Sequence, residues 1–114
     1  MFHVATLSAL RTFSCLLLAV GITCFQATST ATARTASVRW DAVAACESDG
    51  RWNIATGNGY YGGLQFSAET WRKFGGQQYA PFAHQASRAA QMAIAERVLK
   101  AQGWRAWPVC SRRS

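Results

Sequence analysis

Cys46 and Cys110 constrain this chain more than any other feature, because they stand near the two ends of the only domain that the sequence has room to form. What precedes them reads as a leader. Arg11 is the only charged side chain before Arg34, and between them lies the apolar run from Cys15 to Ile22, followed by small and polar residues. Ala31-Thr32-Ala33 then places small residues where a signal peptidase reads them. A positive start, a short apolar core and an A-x-A end predict a secretory signal over residues 1–33. The apolar run falls short of the roughly 20 residues that a membrane span requires, which disfavours the alternative of an uncleaved anchor. A lipoprotein reading fails as well, since Gly21 and Thr12 occupy the positions three before Cys24 and Cys15 where a Leu-like residue belongs.

Cleavage after Ala33 would leave a domain small enough to be marginal without reinforcement. Cys46 and Cys110 are then the only cysteines, and an even pair in an exported chain reads as a disulfide. A cross-link over a loop of that length is worth about 4 kcal/mol in the chain-entropy account. Two free thiols or a metal site are the rival readings. With His3 in the leader and His84 in a loop, the ligand set is a poor one, and no metal or cofactor is expected.

The chain carries a net charge of +7, and every acidic residue lies beyond the leader. That balance suits a polyanionic partner outside the cell, such as a wall polymer, or serves solubility alone. The basic residues are scattered and form no stripe, which argues against nucleic acid.

Residues 34–38 read as a short disordered lead, and residues 112–114 as a basic tail. Trp40 to Glu47 reads as helix, with Trp40, Val43 and Ala44 on one face, and Ser48-Asp49-Gly50 breaks it. Glu47 therefore falls in the last turn, at the negative end of the helix dipole, where partial burial would raise its pKa. Asn58-Gly59 signals a turn, and Tyr60 to Phe66 has strand-like residues. Gly57, Gly59, Gly62 and Gly63 leave backbone bare, which would let a ligand approach. A ligand-free flexible hairpin is the alternative. Ser67 caps a short helix carrying Thr70, Trp71 and Phe74 that stops at Gly75-Gly76. After a loop over 77–86, Ser87 caps the longest helix, Arg88 to Gln102, with Gly103 as its stop. Its apolar stripe is Ala90, Ile94, Val98 and Ala101, widened by Met92, Ala95 and Leu99.

Few residues are left for chemistry. His84 lacks a nucleophile-elbow pattern, Cys46 is better placed in a disulfide than as a nucleophile, and no phosphate-binding glycine loop is present. What remains is carboxylate chemistry near aromatic and amide side chains: Trp40, Trp52, Tyr60, Tyr61 and Trp71, with Asn53, Asn58 and Gln65, around Glu47. Flat aromatic rings cover sugar faces and amides serve sugar hydroxyls, although several of the tryptophans, Trp40 first, read equally well as core. Composition alone supports a small secreted domain with a saccharide-binding character.

The run Trp40-Asp41-Ala42-Val43-Ala44-Ala45-Cys46-Glu47-Ser48, then Trp52, then Thr56 to Phe66, resembles the resuscitation-promoting factor domain of mycobacteria and related actinobacteria. Glu69-Thr70-Trp71, Ala95 to Leu99 and Gln102-Gly103-Trp104 to Cys110 extend the likeness over residues 39–111. The resemblance implies an α+β, mainly α, lysozyme-like and lytic-transglycosylase-like domain with a short β-hairpin and one disulfide, matched here by Cys46 and Cys110. It implies cleavage of MurNAc-GlcNAc bonds in peptidoglycan, regrowth of dormant cells, and for some members a peptidoglycan endopeptidase partner. It carries over Glu47 as catalytic acid and substrate contacts at Asn53, Tyr60, Gln65, Thr70 and Trp71. Where the family usually reads Cys-Glu-Ser-Gly-Gly-Asn-Trp, this chain has Asp49 and Arg51 in place of Gly and Asn, and Phe82-Ala83-His84 also departs from the pattern. A negative Asp49 close to Glu47 would raise the acid's pKa further.

Two chemical outcomes follow from one acid. In a lytic transglycosylase the MurNAc 6-hydroxyl attacks internally. In a muramidase water attacks, usually with a second carboxylate, for which Asp49 is the nearest candidate unless it is a solvated turn residue. A binding module that grips glycan without cutting it, and a signalling protein acting through a partner, are the readings from other classes. A cationic membrane-active peptide is weak, because Arg88 to Gln102 is not a basic amphipathic helix.

Overall fold

The computed structural model describes residues 27–113. Among the described residues, those from Thr35 onward form one compact unit. Most of the expected leader lies outside the described residues. Among them, no helix is long and apolar enough to cross a membrane.

Three α-helices, α1 (Ala27–Ser48), α2 (Ala68–Lys73) and α3 (Arg88–Gln102), frame a small antiparallel sheet of β1 (Tyr60–Tyr61) and β2 (Phe66–Ser67), and short 3-10 turns fill the connections. The expected architecture is present: mainly helical, with one hairpin and one disulfide, Cys46–Cys110. Helix α1 differs from expectation in its start. Residues 34–38 are helical and not a disordered lead. The cause is composition, since no Gly or Pro stands between Gly21 and Gly50 and alanine recurs throughout. The end of the chain differs too, because Arg112 closes a 3-10 turn begun at Cys110.

Serine caps fix the later helices where the sequence puts them. Ser67 Oγ accepts from the Thr70 N–H at 3.1 Å and Ser87 Oγ from the Ala90 N–H at 3.1 Å. The segment Tyr60 to Phe66 is not one strand. It folds back at Gly62 and Gln65, both with positive φ, so that Tyr61 pairs with Phe66 and Tyr60 with Ser67. The Asn58-Gly59 turn serves a separate antiparallel bridge between Ala55 and Tyr61.

The core collects Trp40, Val43 and Ala44 from α1, Ile94, Ala95 and Val98 from α3, and Leu64, Phe66, Trp71 and Trp107 from the segments between and after. Trp40 packs its ring 4.9 Å from that of Trp107 and 5.2 Å from that of Trp104, and its Nε1–H donates to Glu96 Oε1 at 2.6 Å. At the exposed edge, Arg88 makes a two-pronged ion pair with Asp41, which takes that acid out of contention for chemistry and ties α3 to α1.

The buried stripe of α3 is Gln91, Ile94, Ala95 and Val98, with Ala90 beside it, whereas Ala101 is exposed. Ala101 lies in the last turn, past the end of the core. Gln91 escapes a hydrophobic pattern because it is polar, yet it is fully buried and fully used. Its Oε1 accepts from the Gly63 N–H at 2.9 Å, and its Nε2 donates to Trp52 O at 2.8 Å and Ala86 O at 3.1 Å. This network corrects the expected role of two glycines. A Cβ at Gly62 would meet Gln91 Oε1 at 2.4 Å, and one at Gly63 would meet the Trp52 ring at 2.6 Å. Those glycines admit the protein's own side chains, not a ligand.

Replacing Gln91 with leucine keeps most of the volume but strands one buried donor and two acceptors. Chemical denaturation should show a loss of about 2–4 kcal/mol, because a buried orphaned group costs roughly 1–3 kcal/mol and the two stranded acceptors, only part-buried, cost less.

Candidate functional site

Helix α1 ends at Ser48, so Glu47 occupies its last turn. Asp49 and Gly50 both take positive φ, 55° and 73°, and the Gly50 N–H returns to Ala44 O at 3.0 Å. Ser48, buried, stitches this end to the hairpin. Its hydroxyl lies 2.9 Å from Gly63 O and 3.0 Å from Ala44 O, and accepts from the Arg51 N–H at 3.1 Å. One residue earlier, Cys46 is bonded to Cys110. Glu47 is thus held between a disulfide and a buried serine.

The Glu47 carboxyl opens into a cleft of about 340 Å³. Tyr60, half exposed at 50%, and Gln65 line it together with Ala106, Trp107, Pro108, Val109 and Cys110. A smaller hollow of about 110 Å³ shares Tyr60, Gln65, Ala106 and Trp107 with it and adds Thr70, Ser67 and Gln102. The structure therefore brings Glu47, Tyr60 and Gln65 to one cleft and sets Thr70 at its continuation. Asn53 is exposed and lies outside the lining of both hollows. Trp71 is a correction: it is 1% exposed, with its Nε1–H donating to Ala80 O at 2.8 Å, so its ring presents no surface to a substrate.

Two details show how the polar wall is held. Gln65 takes a left-handed backbone (φ 56°), uncommon for a residue with a side chain. Its Nε2 donates to Gly62 O at 2.9 Å and its Oε1 accepts from Asn58 Nδ2 at 3.3 Å. Asn58 Oδ1 in turn accepts from the Tyr60 N–H at 3.0 Å. Asn58 thus braces both cleft residues, a positioning role invisible in a list of contacts.

Burial raises the pKa of Glu47 above its ordinary value. Asp49 is not the cause. Its side chain is 87% exposed, 3.9 Å from Arg51, and lines neither hollow. The structure thus favours the turn-residue reading of Asp49 over that of a second cleft carboxylate. Nor does His84 line either hollow. Its ring stacks 5.4 Å from that of Tyr61, and its Nδ1 is buried without a hydrogen-bond partner.

The cleft wall from Ala106 to Val109 went unread in the sequence. The available signal was the cysteine pair: a bond from Cys46 to Cys110 must bring the residues before Cys110 beside the residue after Cys46.

Comparison with known proteins matches residues 34–110 to a transglycosylase-like domain. The chain is 54% identical over 98 residues to a resuscitation-promoting factor of Corynebacterium glutamicum, covering 82% of this chain and 51% of that one. It is 61% identical over 77 residues to resuscitation-promoting factor RpfE of Mycobacterium tuberculosis, covering 68% and 43%. With RpfC of the same species it shares 52% over 94 residues, covering 82% and 65%. The chain spans about half the length of the first two of these relatives.

Two outcomes follow from the geometry. A carboxyl with a raised folded-state pKa weakens the fold as pH climbs from the usual carboxylate range through the raised value. Glu47→Gln should therefore unfold at higher temperature than the parent near neutral pH, and the gap should close in acid, where both carry a neutral side chain. Asp49→Gly should add about 0.5–1 kcal/mol in a denaturation series, since glycine adopts a positive φ without the side-chain penalty and the exposed pair with Arg51 contributes little.

Proposed function

This chain belongs to the transglycosylase-like family and resembles its resuscitation-promoting factors, and we propose that it is an exported enzyme that cleaves MurNAc-GlcNAc bonds of peptidoglycan with Glu47 as general acid. One observation carries the reading: a half-buried carboxyl of raised pKa opens into a cleft lined by both hydrogen-bonding and apolar side chains. A neutral carboxyl is what a general acid requires near physiological pH. Glu47 donates its proton to the bridging oxygen as the bond to the MurNAc anomeric carbon breaks, leaving an oxocarbenium-like sugar. The Glu47 carboxylate then accepts the proton of the MurNAc 6-hydroxyl as that oxygen attacks the anomeric carbon. The products are a 1,6-anhydro end and a free 4-hydroxyl.

The intramolecular route is favoured over water attack by the acid count. A retaining pair of carboxyls stands about 5–5.5 Å apart and an inverting pair about 6.5–9.5 Å apart. Among the residues lining the two hollows, Glu47 is the one acid. Tyr60, Gln65 and Thr70 act as substrate contacts in this proposal, and Asn53 joins them only where a long glycan reaches past the cleft. Export is supported by the disulfide, which persists in oxidising compartments. Promotion of regrowth and an endopeptidase partner are proposed on the resemblance alone. The other reading is a module that grips glycan in the same cleft without cutting it.

Incubating the oxidised chain with purified peptidoglycan, beside Glu47→Gln, separates these. Anhydro-muramic ends in the mass spectrum from the parent alone are the expected outcome. Reducing ends would replace the transglycosylase route with hydrolysis, and wall binding by both proteins with no release would leave the binding module.

A further inference from the structure

The cleft lining is of two chemical kinds. Glu47, Tyr60 and Gln65 supply a carboxyl, a phenol and an amide. The rest of the lining comes from Ala106, Trp107, Pro108 and Val109, whose side chains offer a sugar no acceptor, and whose one side-chain N–H, on the Trp107 indole, is already committed to Leu64 O at 2.9 Å. Val109 is 58% exposed, so its methyl groups stand on the lip of the cleft. The lip is rigidly mounted. Trp107 is buried in the core, the Ser111 N–H bonds Trp107 O at 2.9 Å, the Arg112 N–H bonds Val109 O at 3.3 Å, and Cys110 is tied to Cys46. An exposed aliphatic side chain on so fixed a mount costs little ordering entropy when it meets a ligand.

Taking the proposed cleavage of peptidoglycan as its basis, we propose that Val109 is a specificity-determining residue that recognises the 3-O-lactyl group of the muramyl unit next to the scissile bond. The two sugars of the strand share ring hydroxyls and acetamido groups. They differ in the lactyl ether, which carries a methyl group and, where a stem peptide is attached, an uncharged amide in place of its carboxylate. The lactyl oxygen and the bond to be broken belong to the same pyranose ring, and Val109 lines the same cleft as Glu47. No Lys or Arg lines either hollow, so the substituent is read by its methyl and not by charge. The lactyl methyl is present with or without a stem peptide, so this contact separates a muramyl unit from a GlcNAc unit, whichever state the lactyl carboxyl is in.

The test measures binding, independently of turnover. Full-length oxidised chain carrying Glu47→Gln is titrated with a peptide-bearing GlcNAc-MurNAc tetrasaccharide and with chitotetraose, with and without Val109→Ser or Val109→Ile. Val109→Ser should weaken the muramyl ligand by about 3–10-fold, below the roughly 10–200-fold that a methylene contributes in an enclosed pocket because the lip is half open, and leave chitotetraose within about twofold. Val109→Ile should retain the muramyl affinity. Equal weakening of both ligands, or no change in either, would overturn the lactyl assignment. Muramyl-selective weakening alongside an unaltered chain that cuts nothing would sink the glycosidase and keep the lactyl contact.

Discussion

The covalent bond between Cys46 and Cys110 decides where the cleft can be. It joins the residue before the acid to the residue after the apolar lip, so two parts of the cleft lining are connected through a single pair of sulfur atoms. A domain this small has little core to spare for positioning an active site. Here the tail is aimed by the cross-link and by Trp107, which enters the core and bonds Leu64 O through its indole nitrogen. Stability and site assembly use the same contacts, and no separate scaffold is needed for the wall.

The same economy holds on the polar side. Gln91 reaches from α3 to fix Gly63 and the Trp52 carbonyl, Ser48 meets the Gly63 carbonyl from the end of α1, and Asn58 ties Tyr60 to Gln65. The hairpin is only two residues per strand, too short to hold its own shape. Side-chain hydrogen bonds do that instead, buried where Gln91 and Ser48 meet Gly63 and exposed at Asn58, and Gln65 takes a left-handed backbone at the cleft. Strain of that kind persists only where the surroundings over-determine it.

How much of this was legible depends on the range of the signal. Ser67, Ser87 and Gly103 are local instructions, and the helix limits they predict are the limits found. Glu47 in the last turn of a helix was equally readable, because Ser48-Asp49-Gly50 can only end one. The long-range pieces were not. Gln91 sits at the head of a helical stripe with Ile94, Ala95 and Val98, but a polar residue there breaks a hydrophobicity pattern even when every polar atom is satisfied. The glycines pointed to open backbone for a ligand, while two of them serve internal packing against Gln91 and Trp52. Trp71 passed as a sugar platform because exposure is a tertiary property: Gly76 and Ala80 close over its ring from later in the chain.

The proposed acid role asks little of so compact a site. Its carboxyl is only partly enclosed, so the fold bears a limited penalty for it, yet burial alone lifts its pKa without help from a neighbouring charge. A second acid would lift it further but would also need its own enclosure, and the nearest in sequence, Asp49, is turned to solvent instead. For the proposed reaction, in a domain with so little interior, one enclosed carboxyl and a substrate that would bring its own nucleophile make a more attainable design than a buried pair. The reaction that asks least of the protein is the one in which the sugar's own hydroxyl completes the displacement.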